Sequence, residues 1–568
     1  MAQSDSESEG PARISKLAGR QLLKWAQGSI SAIELHDVCC DAKDDGLANP
    51  MIERFARLRG GQHAHEDVMR LVRENTPVFD MVDRLGEPNS VATSVLLPSR
   101  VAMSLLRFYP TQFVERLGAS LSTLRGFWRR FRTQPQNIDF MASSPHLSGL
   151  TMAQLTTTIP ITLHEDAGPI SKGLSASSVS WSSLVGKGTE KVSHFPVGTW
   201  VKAKKAESLS TAPFWDRLLK DFEMLASGVD ERGTPILQDE QGRVWRLVLV
   251  YAKADEQQRC DEWGLVHYNG PDEVCPDCLA NRSSRPFTDC QETAAWRPTE
   301  AMSSGQYLAR MRVPSHPLVA SSFAWRMFFY LDVMHVMDCK GVAALIFGGV
   351  LASLVRRPSL GRSQVERLGA IQRFMREWYD DNPGTQRLPK ITPPMLVAAD
   401  GWADLHAPNI KAANTRQAAP LFASMTAELC SGPNEMEVQL REVTSKLHEF
   451  YHVLATADLF LSDAEKERLR EIVLSIGVAY QSLHIMSQAR GWLRFPVRPK
   501  LHKMCHFPFA AGSINPRSVS CYADESHIGT LCQVWKKSIS GRWTAACQDT
   551  VLCKRWLAVL LRFELKLD

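Results

Sequence analysis

The sequence predicts an α/β protein, α+β overall, in which a mixed sheet core follows a helical region and is interrupted by a long all-helical insertion. Three observations lead there. From residue 14 to about 132, apolar residues recur at helical spacing. From about 150 to 255, alternating β-branched runs follow in the order βββαβ, and from about 340 to 500 helical periodicity returns. At 568 residues the chain is too long for one ordinary core. The expected divisions are an acidic tail over 1–12, a helical region over 13–149, the first part of the sheet core over 150–335 with a cysteine-containing insert at 260–290, a helical insertion over 336–500, and C-terminal helices over 501–568 that complete the core.

Composition narrows the classes. Apolar residues make up 44% of the chain and charged residues 22%, the balance of a protein that buries a core, which excludes a mainly disordered chain. A net charge of +5 permits a nucleic-acid partner without requiring one. Thirteen cysteines, odd in number and mostly scattered, fit reduced thiols or metal ligands better than a disulfide framework. MAQSDSESEG is acidic and serine-rich with no apolar segment behind it, so a disordered tail is expected rather than a signal or transit peptide. The longest uncharged apolar run, 342–355, is shorter than the roughly 20 residues of a membrane span, and no membrane partner is expected.

In the helical region, LAGRQLLKWAQ, SAIELHDVCC, PMIERFARL, HEDVMRLVREN, RVAMSLLRF and TLRGFWRRF carry apolar residues three and four apart, with prolines or glycines between them. The last of these interleaves Arg125, Arg129, Arg130 and Arg132 with Trp128 and Phe131. A cationic, aromatic face of that kind suits a nucleic-acid backbone, and the same pattern also describes a solvated amphipathic helix. TTTIPITLHEDAG, SSVSWSSLVG and VSHFPVGTWVKAK then read as three strands, APFWDRLLKDFEMLASGV as a helix, and VWRLVLVYAKAD as a fourth, strongly apolar strand. Asp166 ends the first strand and Asp255 the fourth.

Next comes RCDEWGLVHYNGPDEVCPDCLANRSSRPFTDC. Cys275 and Cys278 form a CxxC, and zinc takes four soft or borderline donors in a tetrahedron, so Cys260, His267 and Cys290 are the candidates for the remaining places. No second CxxC or HxxxH follows at the spacing of a standard finger, and ordinary reduced cysteines stay open as the alternative. Residues 321–355, SSFAWRMFFYLDVMHVMDCKGVAALIFGGVLASLV, begin as an aromatic run suited to a buried strand and end as an apolar helix of small residues. Asp332 and His335 stand at the junction, where open α/β sheets present polar groups to a crevice. The plainer alternative is a helix cap at Asp332 and a satisfied core histidine.

Helices are expected over 364–378, 415–430, 435–456 and 463–489. KLHKMCHFPF then precedes SVSCYADESHIGTLCQVWKKS, a turn and helix with Asp524, Glu525 and His527. Glu525 is the better candidate for a third acid, against an ordinary helix N-terminal acid favoured by the dipole.

A βββαβ order with acids ending its first and fourth strands is the layout of an RNase H-like nuclease core, in which those strands lie side by side. Neighbouring carboxylates repel unless a cation sits between them, and two divalent metals about 4 Å apart commonly serve such a pair. LHED, the acid after the fourth strand, the D-x-x-H of Asp332 and His335, and a glutamate beyond a helical insertion together resemble the DDE transposases of eukaryotic cut-and-paste DNA transposons, with a D-x-x-H similar to that of the hAT and CACTA superfamilies. WGLVHYN before the CxxC, and PKLHKMCHFPFAAGSINPRSVSCYADESHIG, are similar to a group of transposon-derived proteins. The resemblance covers roughly 150–565 and lies in the order of the motifs.

It implies that Asp166, Asp255 and Glu525 are metal-binding catalytic acids, with Asp332 and His335 shaping the site and His335 holding Asp332 by a hydrogen bond. It also implies Mg2+ or Mn2+ as cofactor, beside Zn2+ at the cysteines. Double-stranded DNA, both transposon ends and target, would be the partner of a nuclear homo-oligomer that hydrolyses a phosphodiester and then transfers the strand. Two other functions remain open: a transposon-derived DNA-binding or interaction protein without catalysis, and a helical scaffold with a structural zinc site. Lys202, Lys204 and Lys205 form too short a cluster to count as a nuclear signal.

Overall fold

Where β-branched and small residues alternate, the chain pairs into one five-stranded sheet. Its strands are β1 (Thr158–Ser171), β2 (Leu174–Ser183), β3 (His194–Lys202), β4 (Leu237–Gln238) and β5 (Val244–Lys253). The structure, a computed structural model, describes residues 16–567 apart from 48, 76–79, 87–89, 203–209, 271, 312–315, 406, 408 and 539–544. The expected acidic tail, Lys204 and Lys205 lie outside the described residues.

The sheet is mixed and curled, and its strand order is β3-β2-β1-β5-β4. The first strand and the fourth one expected from sequence, β1 and β5, are therefore neighbours; the two-residue β4 is an addition at the edge. β1 and β2 form an antiparallel hairpin that sets His164 opposite Ser180 and Asp166 opposite Ser178. β2 also pairs antiparallel with β3, and the register shifts between Val179 and Ser180. The fold is α+β overall, as expected.

The chain divides into two compact units. The first comprises Met1–Leu124, Thr156–Val248 and Ala523–Asp568, and the second Arg125–Leu155 and Leu249–Tyr522. In the first, helices Lys16–Ala26, Ala32–Asp44, Pro50–Ala56, Ala64–Asn75 and Pro98–Phe108 stand where the periodicity places them, with Pro110–Leu117 in addition. Ser31 and Glu34 start the second of these with a capping box. The last helix, Ala545–Leu565, packs against Lys16–Ala26 and against β3.

In the second unit the aromatic run before Asp332 does not form the expected strand. Only an isolated parallel bridge joins Phe329 to Ala252, and the chain passes through a π-helical turn, Met334–Asp338, into helix Val342–Leu354. An apolar run shows burial but not conformation, which is why the pattern misled. Gly348 lets that helix meet the backbone of Asp404, since a Cβ there would lie 2.5 Å from the Asp404 carbonyl carbon. Helices Gln364–Asp381, Glu435–Thr456 and Asp463–Gln488 match expectation. The one expected over 415–430 is two, Ala412–Gln417 and Ala419–Leu429, because Pro420 starts a new helix. The segment Met334–Leu354 is long and apolar enough to cross a membrane by length and composition, and most of it is buried in this unit's core.

Candidate metal sites

The first site begins on β1. Residues two apart on a strand share a face, so His164 and Asp166 project together. The third member, Glu525, comes from the first turn of helix Tyr522–Ser538. Gly168 is what allows that helix to lie against β1: a Cβ at this position would stand 2.5 Å from Cys532 Sγ and 2.9 Å from Ile528 Cγ2. Ile528, Leu531, Cys532 and Trp535 then share an apolar cluster with Ile170 and Ala176, and Trp535 Nε1 donates to Thr199 Oγ1 at 2.7 Å.

The docked helix sorts its two acids. Asp524 is buried with one oxygen 3.4 Å from His194 Nε2 and also has a carboxylate oxygen within 4.8 Å of a His164 ring nitrogen, whereas Glu525 reaches both His164 and Asp166. One donor atom from each of His164, Asp166 and Glu525 lies within 4.8 Å of the others. His164 is 1% exposed and the two acids are half-buried. Asp166 Oδ1 also accepts from the Ala167 amide at 2.6 Å. Two carboxylates and one imidazole converging in this way could hold a metal ion.

Asp255 lies in the second unit, just past the end of β5. Its Oδ1 accepts from the Gln258 amide at 2.6 Å and so caps helix Glu256–Asp261. No converging metal-ligand group among the described residues includes Asp255. It lines a cavity of about 290 Å³ together with Tyr268, Asp332, His335, Lys340 and Lys500.

There Asp332 is hydrogen-bonded to His335. His335 Nδ1 stands 2.6 Å from its Oδ2, which also accepts from the His335 amide at 2.9 Å, and its Oδ1 accepts from the Cys521 amide at 2.8 Å. Burial works to raise the Asp332 pKa, but His335 and these amides bring it below the ordinary value. Donor atoms of Asp332, His335 and Cys521 also lie within 4.8 Å of one another.

The third site is the CxxC, and its partners differ from those expected. Cys275 Sγ lies 3.3 Å from His506 Nε2, Cys278 Sγ 3.2 Å from His502 Nε2, and the two Nε2 atoms 3.1 Å apart. All four residues are buried. Around them, the Ala280 amide donates to Cys278 Sγ at 3.3 Å, Glu300 Oε1 sits 2.5 Å from His506 Nδ1, and Arg310 donates to the carbonyls of Cys275, Pro276 and Cys278. These contacts fix the ring of His506 and the turn of the CxxC.

Cys260 and Cys290 stand outside this group, as a correction to the expected ligand set. Cys260 donates to Glu256 at 3.3 Å and to the Val266 carbonyl, while Cys290 contacts the Thr288 carbonyl. His267 stacks on Tyr268 instead. The missed signal was the H-x-x-x-H inside KLHKMCH, which sets both rings on one face of helix Pro499–Met504 and its continuation.

Of the arginine cluster, Arg125, Arg129 and Arg132 are exposed, but Arg130 is tied to Asp458 and to the Phe460 carbonyl. Trp128 and Phe131 are fully buried, so the aromatic half of the expected nucleic-acid face belongs to the core. Comparison with protein-family models and with curated proteins finds no match for this chain.

Proposed function

We propose that the chain is a transposase-like protein acting on DNA phosphodiesters, with a divalent ion, Mg2+ or Mn2+, held by Asp166 and Glu525. The supporting observation is the convergence of these two acids, one from a strand and one from a late helix, at one point beside His164. When bound, such an ion supplies Lewis-acid stabilisation of phosphoryl oxygens and a more acidic water. Asp166 and Glu525 contribute the two negative charges that offset the ion's own. Asp255 is a third acid only by the sequence resemblance; in the structure it caps helix Glu256–Asp261. Double-stranded DNA as partner and the nucleus as location follow from the same resemblance.

A plasmid-nicking assay with the full chain tests this. Mg2+- or Mn2+-dependent nicking is expected for the native chain, with a loss of at least about a hundredfold in Asp166→Asn and in Glu525→Gln. Activity that survives either substitution overturns the assignment. Native chain that binds DNA without cutting it favours the transposon-derived protein without catalysis.

Zinc is the ion that suits the other buried site. Bond lengths of about 2.0 Å to nitrogen and 2.3 Å to sulfur in a tetrahedron set neighbouring donors about 3.3 to 3.8 Å apart. The separations of 3.1 to 3.3 Å among Cys275, Cys278, His502 and His506 lie close to that range. Two thiolates and two imidazoles close the coordination, which makes the site structural in character.

A further inference from the structure

We propose that His164 is a protein ligand of the ion held by Asp166 and Glu525, so that this site favours a first-row transition dication, of which Mn2+ is the weakest-binding test case, over Mg2+. The inference rests on the reading of Asp166 and Glu525 as metal-holding acids. It goes beyond that reading by adding a nitrogen donor, and with it a metal preference.

The geometry comes from the strand. His164 and Asp166 project from the same face of β1, and a hairpin paired over nearly its whole length holds that face rigid. Glu525 arrives from helix Tyr522–Ser538, brought close by the missing side chain at Gly168. Three donors from two rigid elements, within 4.8 Å of one another, can close on one ion with small side-chain rotations and leave its other positions open.

Charge and softness complete the case. Two carboxylates already match a dication, so a neutral imidazole adds a bond without adding negative charge. Mg2+ prefers oxygen ligands and keeps its waters, whereas affinity for an imidazole is lowest at Mn2+ and rises along the first-row series, so the discrimination against Mg2+ is smallest for Mn2+ and grows toward the later metals. His164 is also almost wholly buried, whereas a ligand on a flexible surface side chain would lose more freedom on binding.

Pulsed electron paramagnetic resonance of Mn2+ on the full chain, preloaded with zinc to fill the Cys275–Cys278–His502–His506 site, tests the inference. The expected result is a 14N modulation from a directly bound imidazole that disappears in Asp166→Asn and in His164→Gln. His164→Gln should also weaken Mn2+ binding on the order of tenfold while changing Mg2+ binding much less. The modulation in the native chain is read without any variant, so a His164→Gln chain that fails to fold still leaves a decisive result. Mn2+ whose binding depends on Asp166 but shows no 14N modulation, or is unchanged by His164→Gln in a folded chain, overturns the role of His164 and leaves the acids in place. Mn2+ binding that ignores Asp166→Asn overturns both.

Discussion

Asp338 shows what burial does to a carboxylate whose partners are mainly hydroxyls. It is 2% exposed and accepts from Tyr451 and from Tyr522, the latter at 2.6 Å. Burial pushes its pKa up to about 7, and the hydroxyls and Arg416 hold it from rising further. An unfolded aspartate titrates near 3.9, so between about pH 4 and 7 the folded chain holds the extra proton. Its stabilising contribution is complete below about pH 4 and is lost as the pH rises to about 7. Urea midpoints measured across that window should fall with pH more steeply in the native chain than in Asp338→Asn; equal slopes would show that this proton is not held. Asp332 has the opposite sign: held below its ordinary value, it contributes above the usual aspartate range and loses that contribution on acidification. At this scale the sequence showed a good deal. The Asp332–His335 bond was expected from the family resemblance, but nothing local to Asp338 reveals that Tyr451 and Tyr522 will surround it.

Between elements, the decisive contact is that of helix Tyr522–Ser538 with β1. Gly168→Val would force its side chain into Cys532 and Ile528, costing about 1 to 3 kcal/mol and displacing Glu525 from Asp166. Mn2+ affinity should therefore drop in that variant even where circular dichroism shows the fold retained, and unchanged affinity would mean that the helix position does not matter to the site. The cysteine and histidine site joins elements much farther apart in sequence, Cys278 and His502 being 224 positions apart. One zinc per chain is expected by mass spectrometry. Cys278→Ser or His502→Ala should remove it and lower the melting temperature by roughly 5 °C or more, because metal binding to a site absent from the unfolded chain adds to folding stability. Retention of zinc by both variants would refute the ligand set. That separation also explains why the pair of histidines escaped notice: a motif search looks for ligands nearby, and the helical insertion carries these away.

For the molecule as a whole, the strands over 158–183, 194–202 and 244–253 were legible from alternation and glycine turns, and the adjacency of the first and fourth followed from the resemblance to an RNase H-like layout, whereas the edge strand β4 was not expected. The N-terminal helices were legible from their periodicity and from the prolines and glycines between them. Less visible were the division into two units, with the chain crossing between them repeatedly, and the loss of the strand before Asp332, since both depend on packing at long range. Of the three acids named from sequence, Asp166 and Glu525 converge and Asp255 joins no such group among the described residues, whereas the place of His164 beside the first two required the fold. The most direct measurement is an anomalous difference map from crystals grown with Mn2+. A peak bonded to carboxylate oxygens of Asp166 and Glu525, at about 2.0 to 2.3 Å, is the expected result. Fully occupied Mn2+ elsewhere, with no density between these two carboxylates, would contradict the account.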